Sequence, residues 1–419
     1  MSFCAVDDKK ENKLMVIWDL GRKCTYACTY CPPHRKNNWS ATASFEELKK
    51  TADALERYHN IYNSKRKDPF IISASFTGGE PTVNPAFFDF LVYLQENYPH
   101  WKRTLTTNGF YSERKLRLVM KNTDYTTLSW HCEGTPDQKA RVRENIRIMH
   151  EEGYGFKVNV MFHEREDYFN ECIELCDWLE DIGVSYIPRV IGDQGDVKQG
   201  LKDKTIHTYT EEQMAWLNDY WDRKKNTKLD PKLDKARKVS NPSTSEPIKS
   251  VSKSQKTIGQ SIGRPCCGGR DMELLEDNGW VQSRFVSNNN FQGWNCMINW
   301  YFLYIHQEID EIWHHQTCQV DLNGELGPIC KASEFDEFCD KLEEKVETGN
   351  IPLIRCPKTF CGCGLCVPKA KTDEHAKSIF NYHVPKLNPE FMEMKSTVNK
   401  GTLKALVYKF DRMNGNETI

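Results

Sequence analysis

The sequence contains no apolar run that approaches the ~20 residues a membrane-spanning helix needs, and its longest apolar-rich stretch covers only residues 300–305. It also lacks a recognisable secretory signal, since charged residues follow within the first ten positions. A formal net charge of −2 on 419 residues gives no general preference for nucleic acid or for an anionic membrane. We therefore expect a cytoplasmic protein of two or three domains that has no membrane partner.

Cysteine, in contrast, is abundant, with 17 residues, and in a reducing compartment this favours metal ligation over disulfides. Three of them, Cys24, Cys28 and Cys31, are spaced C-x3-C-x2-C, and the next cysteine is Cys132. A 4Fe–4S cluster takes four thiolates, so three leave one iron open, as a catalytic metal site requires. A closed zinc site is the alternative, but no histidine lies at a zinc-finger spacing from Cys31.

From residue 14 to about residue 192, short apolar runs alternate with amphipathic helical patterns. Strands are predicted at residues 14–19, 70–76, 103–106, 126–130, 156–162 and 184–191. Helices are predicted from Ser44 onward and at residues 86–96, 112–120, 136–151, 168–181 and 210–223. Six strand–helix repeats predict an α/β fold with a parallel sheet and right-handed crossovers. Chemistry in such folds collects at the carboxyl ends of the strands, where the cysteine motif falls.

The cysteine motif, followed by Gly78, Gly79, Glu80 and Pro81 just past the second strand, resembles the radical S-adenosylmethionine (radical SAM) superfamily. The resemblance implies a partial (β/α)6 TIM-like barrel. It also implies a [4Fe–4S] cluster on Cys24, Cys28 and Cys31, with SAM bound at the open iron. The implied activity is reductive cleavage of SAM to a 5′-deoxyadenosyl radical, which abstracts a hydrogen atom from the substrate.

The resemblance further implies a set of SAM-binding residues at the strand ends: Tyr30, Gly78, Gly79, Glu80, Pro81, Thr107, Asn108, Ser129, Asn159 and Arg189. Glu80 would accept the SAM ammonium group, and Gly79 with its neighbours would offer backbone groups nearby. Arg189 would pair with the SAM carboxylate, and Tyr30 would lie against the adenine. Ser129 and Asn159 suit the ribose hydroxyls. Asn159 and Arg189 could equally be polar strand residues satisfied inside the barrel.

A second group of cysteines follows residue 263: Cys266, Cys267, Cys296, Cys318, Cys330, Cys339, Cys356, Cys361, Cys363 and Cys366. It resembles the auxiliary-cluster extensions called SPASM and twitch. The implied metal ligands are seven cysteines: Cys296, Cys318, Cys330, Cys356, Cys361, Cys363 and Cys366. Two full 4Fe–4S clusters use eight thiolates, so Cys266, Cys267 or Cys339 completes the set, or one site is open. A twitch-type domain would hold one cluster, and a zinc site remains the alternative.

Three other cysteines lie within the predicted barrel. Cys172 and Cys176 fall on one face of a helix and are predicted to be buried core thiols. Cys132 follows the fourth strand near the mouth of the barrel, where it could donate a hydrogen atom or a proton, and it is the one predicted catalytic residue. His131 beside it is either a hydrogen-bonded core histidine or a catalyst.

The predicted organisation has five parts: an N-terminal extension (residues 1–13), the radical SAM barrel (14–223), a linker (224–262), an auxiliary-cluster domain (263–370) and a tail (371–419). The linker carries eleven Lys and Arg residues against three Asp and Glu between Arg223 and Lys256. Such a basic segment can dock on nucleic acid or on an acidic protein, but it has no interleaved aromatic residues. A solvated linker is therefore the favoured interpretation, and nucleic acid is a less favoured partner.

Three functions remain open. The leading one is a radical SAM enzyme that modifies a peptide or protein, with auxiliary clusters that take up an electron or bind the substrate. The second is a radical SAM isomerase or transferase that acts on a nucleotide or other small molecule. The third is a non-enzymatic iron–sulfur sensor, which would not need Gly78, Gly79 and Glu80. Both enzymatic functions imply an electron donor such as flavodoxin or ferredoxin.

Overall fold

A computed structural model describes residues 13–31, 36–65, 69–191, 209–226, 280–282, 292–296, 298–315, 320, 325–348, 352–357, 368–370 and 372–373. Its helices are α1 Phe45–Asn63, α2 Phe87–Asn97, α3 Glu113–Asn122, α4 Pro136–Glu151, α5 Glu166–Asp181, α6 Glu211–Asn226 and α7 Phe335–Glu347. Its strands are β1 Lys13–Asp19, β2 Ile71–Thr77, β3 Lys102–Thr107, β4 Tyr125–His131, β5 Phe156–Phe162, β6 Tyr186–Val190, β7 Trp280–Gln282, β8 Asn295–Cys296, β9 Phe302–His306, β10 Glu311–Trp313, β11 Ile354–Arg355 and β12 Pro368–Ala370. None of the helices described is long and apolar enough to cross a membrane.

The chain divides into two compact units. The barrel unit comprises Trp18–Phe45 and Ala74–Thr244, and the C-terminal unit comprises Met1–Ile17, Glu46–Ser73 and Ser245–Ile419. Strands β3 to β6 and the last residues of β1 and β2 lie in the barrel unit; the strand order is β1-β2-β3-β4-β5-β6, and the pairs from β3 to β6 are parallel. Helices α2 to α5 alternate with these strands along the chain, which confirms the predicted partial (β/α)6 barrel.

The core of the barrel unit lies between the strands and the helices, because strand side chains alternate between two faces. Outward residues are fully buried and meet aromatic residues of the helices. The ring of Trp18 lies 5.3 Å from that of Phe90 in α2, and Phe162 lies 4.9 Å from Phe169 in α5. One face of the sheet therefore supplies the hydrophobic core.

The inner face of the same strands carries half-buried, short polar side chains: Ser75, Thr106, Thr127, Ser129 and Asn159. A closed parallel barrel fills this space with bulky branched residues. The same face also carries half-buried apolar side chains, Met15, Ile17, Ile71 and Met161. The inner face is therefore mixed, and its hydroxyl and amide groups are available to a ligand at the strand ends.

The C-terminal unit contains an antiparallel pair, β9 with β10, beside the first residues of β1, where the Met15 amide donates to the Tyr301 carbonyl at 2.9 Å. A second sheet has the order β11-β8-β12-β7. Helices α1 and α7 pack through Tyr58, whose ring lies 5.6 Å from that of Phe335. The Tyr58 hydroxyl donates to the Asn299 carbonyl at 2.7 Å inside this core.

The predicted linker, residues 224–262, is described only at its first three residues. Helix α6 continues to Asn226, three residues into the predicted linker, and residues 227–262 lie outside those described. Of the predicted tail only residues 372 and 373 are described. The five-part organisation therefore stays a prediction.

We predict that Arg57→Met destabilises the C-terminal unit. The Arg57 guanidinium in α1 contacts three carboxylates of α7, those of Asp336, Asp340 and Glu343, at 2.6–3.0 Å. The side chain is one-third exposed, so the network should contribute only about 1 kcal/mol, and less at high salt. Thermal unfolding followed by tryptophan fluorescence measures the change. Arg147→Met, which removes two pairs within α4, is the control, and an equal loss in both variants would contradict the prediction.

Candidate active site

The cysteine loop (residues 20–31) follows β1 and is fastened to the segment after β2. The amide of Gly79 donates to the Gly21 carbonyl at 2.7 Å, and the amide of Glu80 donates to the Lys23 carbonyl at 2.7 Å. The Leu20 amide donates to the Thr77 carbonyl at 2.9 Å. These bonds continue the pairing of the two strands beyond their ends and fix where the cysteine loop begins.

Close backbone approach explains the two glycines. A Cβ on Gly78 would lie 2.5 Å from the Gly21 carbonyl oxygen, and Gly78 has a positive φ of +135°. A Cβ on Gly79 would lie 2.3 Å from the Lys23 carbonyl oxygen. Real side chains do not come this close to backbone. The sequence assigned the backbone of Gly79 to SAM, but its amide and that of Glu80 are occupied by the cysteine loop.

The Glu80 carboxylate accepts four hydrogen bonds, and the residue is only 3% exposed. Its Oε1 accepts hydrogen bonds from the Thr82 amide at 3.1 Å, the Thr82 hydroxyl at 2.6 Å and the Thr107 hydroxyl at 2.8 Å. Its Oε2 accepts one from the Asn108 amide at 2.7 Å. We call Glu80, Thr82, Thr107 and Asn108 the Glu80 hub.

The two oxygens of this carboxylate differ in what they can still accept. Burial raises the pKa of the Glu80 carboxyl, and the four donated hydrogen bonds oppose that rise. Carboxylate oxygens have about two lone pairs each. Oε1 already has three donors, whereas Oε2 has one. A further donor, such as an ammonium group, would therefore bind at Oε2.

Asn108 joins the hub to the first cysteine. Its side-chain nitrogen donates to the Thr25 hydroxyl at 2.9 Å and lies 3.9 Å from the Cys24 sulfur. The Tyr26 amide donates to the same sulfur at 3.4 Å. Burial raises the pKa of the Cys24 thiol, the Tyr26 amide opposes this, and burial raises the pKa of Cys28 to about 12. Both groups are therefore thiols at pH 7 in the metal-free chain, and a coordinating metal would deprotonate them.

Aromatic residues of the cysteine loop pack on the end of β4. The Tyr30 hydroxyl lies 2.6 Å from His131 Nδ1, and the two rings stack at 6.0 Å. Tyr26 meets the same imidazole edge-on at 5.4 Å. Burial lowers the pKa of His131 to about 4, so the imidazole is neutral at pH 7. His131 thus holds the Tyr30 ring by a hydrogen bond and by stacking. Tyr30 is the residue that the sequence predicted to lie against the adenine of SAM.

Sequence reasoning missed Glu133, which holds the middle of the cysteine loop. Its carboxylate accepts hydrogen bonds from the Thr29 amide at 2.6 Å and from the Thr29 hydroxyl at 2.5 Å. The two residues are 104 positions apart. No motif marks Glu133, because an acidic residue in a loop after a strand is ordinary, and only the fold brings it to Thr29.

The predicted ribose contacts are neighbours on the inner face. Ser129 of β4 and Asn159 of β5 are register partners, and the Oδ1 atom of Asn159 is buried without a hydrogen-bond partner among the residues described. An orphaned buried acceptor is unfavourable unless a ligand or water satisfies it. Arg189 of β6 is exposed, in register with Met161, which pairs in turn with His131. Ser129 and Asn159 are therefore direct neighbours, and Arg189 lies two residues further along β6 than the partner of Asn159, Ile187.

The thiols of Cys132, Cys172 and Cys176 lie in the core, each at 0% exposure. This confirms the prediction for Cys172 and Cys176. Cys172 contacts Cys132, and this hydrogen bond together with burial raises the pKa of the Cys172 thiol. Cys132 is thus enclosed beside a second thiol, and its catalytic role stays a prediction.

Of the predicted auxiliary ligands, Cys296, Cys330 and Cys356 are described, whereas Cys318, Cys361, Cys363 and Cys366 lie outside the described residues. Cys296 pairs with Ile354 of β11, two residues before Cys356. The two buried cysteines therefore lie diagonally on one face, where such positions are about 7–8 Å apart. Cys339 in α7 is a core thiol that donates to the Ala54 carbonyl at 3.5 Å.

No three Cys, His, Asp or Glu residues in the described part of the chain are grouped closely enough to hold one metal ion. This finding concerns a single ion. In a 4Fe–4S cluster each cysteine binds its own iron, so its ligands are spread around the cluster.

Comparison with known proteins gives one family match, in which residues 18–185 match the profile of the Radical SAM superfamily. The chain is similar to the Fe-coproporphyrin III synthase of Methanosarcina barkeri, with 23% identity over 43% of this chain and 44% of that protein. It is also similar to the mycofactocin maturase MftC of Mycobacterium tuberculosis, with 25% identity over 32% of this chain and 30% of that protein. The chain thus spans less than half the length of these curated relatives.

Among solved structures, the chain is similar to Streptococcus suis SuiB bound to its precursor peptide SuiA. That comparison has a TM-score of 0.38 and 16% identity, and it covers 51% of this chain and 47% of the other.

We predict that Glu80→Gln loosens the strand ends before any cofactor is bound. A glutamine turns one carboxylate oxygen into a donor, which must then face a donor of the Glu80 hub, at a cost of about 1–3 kcal/mol. Hydrogen exchange of the segment around Thr107 and Asn108 should accelerate in the cofactor-free chain. Glu144→Gln on the exposed face of α4 is the control. Unchanged exchange in Glu80→Gln would show that the hub does not hold the two loops together.

We predict that Glu133→Ala frees the middle of the cysteine loop. Both charge-assisted bonds to Thr29 are lost, so a reconstituted protein should release iron to a chelator several-fold faster, consistent with about 1–2 kcal/mol. Thr29→Val keeps the amide bond and removes only the hydroxyl bond, so its release rate should be intermediate. A rate for Glu133→Ala no faster than for Thr29→Val would contradict the role of the carboxylate.

Proposed function

We propose that this chain, whose residues 18–185 form a Radical SAM superfamily domain, cleaves SAM reductively and uses the resulting radical on a peptide or protein substrate. The observation that carries the proposal is the junction of the cysteine loop with the Glu80 hub. Cys24, Gly79, Glu80 and Asn108 belong to segments after three different strands, and direct contacts join them.

The residues present fit a [4Fe–4S] cluster and SAM. Cys24, Cys28 and Cys31 would hold the cluster and leave one iron open. When bound, cluster and SAM supply a one-electron cleavage that generates a radical able to abstract hydrogen from carbon. The unpartnered Oδ1 of Asn159 and the open capacity of Glu80 Oε2 supply the acceptors that a ribose hydroxyl and an ammonium group need.

The chain's own residues would then hold and orient the reactants. Glu80 accepts the SAM ammonium, while Asn159 and Ser129 bind the ribose hydroxyls. Arg189 pairs with the carboxylate, and its exposure leaves it able to move onto the ligand. Tyr30, supported by the neutral His131, covers the adenine.

We also propose auxiliary clusters in the C-terminal unit, which would take up an electron or bind the substrate. Cys296 and Cys356, diagonal on one sheet face, would bind one cluster. The backbone of Cys330 is held by a hydrogen bond from the Ile312 amide to its carbonyl at 2.9 Å. Its thiol would bind a cluster together with cysteines that lie outside the described residues. Cys339 is engaged in the core, so Cys266 or Cys267 is the better candidate for an eighth ligand.

The peptide or protein substrate rests on the resemblance of the second cysteine group to SPASM domains and on the maturase among the relatives. A small-molecule substrate is the second candidate, and the Fe-coproporphyrin III synthase among the relatives favours it. A small peptide gene beside this gene would support the first candidate, whereas genes for nucleotide or cofactor modification would support the second.

The proposal predicts that the anaerobically reconstituted protein forms 5′-deoxyadenosine from SAM when dithionite is the reductant. Single alanine variants of Cys24, Cys28 and Cys31 should lose this activity. Asn159→Ala should raise the KM for SAM about tenfold or less, because it removes one hydrogen bond. Cys176→Ala is the control, since its thiol lies in the core. Product formation that persists without the three cysteines, or its absence from wild type, would contradict the proposal.

A further inference from the structure

Trp39, eight residues beyond the last cysteine of the motif, is 96% exposed. The other exposed large apolar side chains in the described part of the chain are aliphatic: Val190, Met214, Ile309 and Leu326. An indole buries a large area when it is covered, and tryptophan is enriched among residues that dominate binding. An exposed tryptophan next to the cysteine loop is therefore a candidate anchor for another molecule.

Trp39 is held in place by its neighbours. The Asn37 side-chain oxygen accepts a hydrogen bond from the Trp39 amide at 3.0 Å. The Asn37 amide donates to the Arg22 carbonyl at 3.0 Å, and the Ser40 amide donates to the Asn37 carbonyl at 3.3 Å. The turn at residues 36–40 is thus fastened to the beginning of the cysteine loop, and it presents the indole to solvent.

A short path connects this surface to the first cysteine. The Asn38 side-chain oxygen accepts a hydrogen bond from the Cys24 amide at 3.1 Å, and Asn38 is bonded directly to Trp39. Tyr26 and Tyr30, in contrast, pack on His131 at the end of β4. The loop therefore has one side that faces the proposed SAM site and a solvent side that carries Asn38 and Trp39.

The charge of this segment is entirely positive. Residues 20–45 contain four Lys or Arg residues and no Asp or Glu. Arg22, Lys23 and Lys36 lie in the described part of it, and the charge of Lys36 acts on Cys24. Of the acidic residues near the cysteine loop, Glu80 is buried within its hub, and the Glu133 carboxylate accepts hydrogen bonds from Thr29. Lys36 begins the turn that carries Trp39, and the Arg22 carbonyl accepts a hydrogen bond from that turn, so cationic residues adjoin the exposed indole along the backbone.

We propose that Trp39, with Arg22, Lys23 and Lys36, is the docking surface for a small acidic electron-transfer protein of the flavodoxin or ferredoxin class. The inference rests on the proposed function, because only a bound cluster needs this partner. One electron leaves the reduced donor, which is oxidised, and one electron reaches the cluster on Cys24, Cys28 and Cys31. No bond is made or broken in this transfer. Complementary charge brings the donor to the loop, and the indole anchors it.

The test compares Trp39→Ser with wild type and with Leu326→Ser, which removes an equally isolated apolar side chain that is 71% exposed. Affinities of the reconstituted proteins for a flavodoxin and for a two-cluster ferredoxin are measured by biolayer interferometry at several salt concentrations. In parallel, 5′-deoxyadenosine formation is measured with the enzymatically reduced donor and with dithionite. Trp39→Phe tests for rescue by a conservative change.

We expect Trp39→Ser to bind the donor about tenfold or more weakly and to lose donor-driven activity in proportion, with dithionite-driven activity unchanged. Leu326→Ser should match wild type, Trp39→Phe should recover part of the affinity, and binding should weaken as salt increases. Equal affinity of Trp39→Ser and wild type, or no binding of either donor, would overturn the docking surface. Failure of dithionite to support activity in wild type would instead overturn the proposed function.

Discussion

A buried carboxylate organises the candidate active site. Glu80 lies among residues that follow β2 and β3, and the cost of removing its charge from water is offset only because four donors surround it. The same residue binds the cysteine loop through its own amide. One side chain and its backbone thus join the ends of three strands. If the Glu80 carboxylate is removed, Thr82, Thr107 and Asn108 lose the hydrogen-bond acceptor that they share.

The two faces of the strands have different functions: the outward face packs against the helices, and the inward face carries polar groups of the candidate site. Outward side chains such as Trp18 and Phe162 pack against aromatic residues of the helices. Inward positions include serine, threonine and asparagine among a smaller number of half-buried apolar side chains. An interior with polar groups of this kind suits a ligand that brings its own hydrogen-bonding groups, as SAM does. The stability of the barrel unit and its capacity to bind therefore depend on different residues.

Local sequence predicted the barrel well, because strand alternation and helix periodicity are local signals. The strand predicted at residues 156–162 and the helix at 136–151 have these bounds in the structure. The sequence also pointed to Glu80, but not to Thr82 or to the roles of Thr107 and Asn108 as its donors. The contact of Thr29 with Glu133 could not be predicted from the sequence, since the two residues are 104 positions apart and Glu133 forms part of no motif. The contact of Gly79 with the backbone of the cysteine loop was not foreseen, because a glycine permits close approach to protein backbone as readily as to a ligand, and its contact with SAM stays a prediction.

The central claim is that Cys24, Cys28 and Cys31 hold a [4Fe–4S] cluster, and elemental analysis tests it most directly. Iron, zinc and acid-labile sulfide per chain are measured after anaerobic reconstitution, in wild type and in the variant with all three cysteines changed to alanine. The account predicts that the variant contains about four irons fewer than wild type and retains the iron of any auxiliary cluster. Equal iron in both proteins, or zinc in place of iron at the three cysteines, would contradict it.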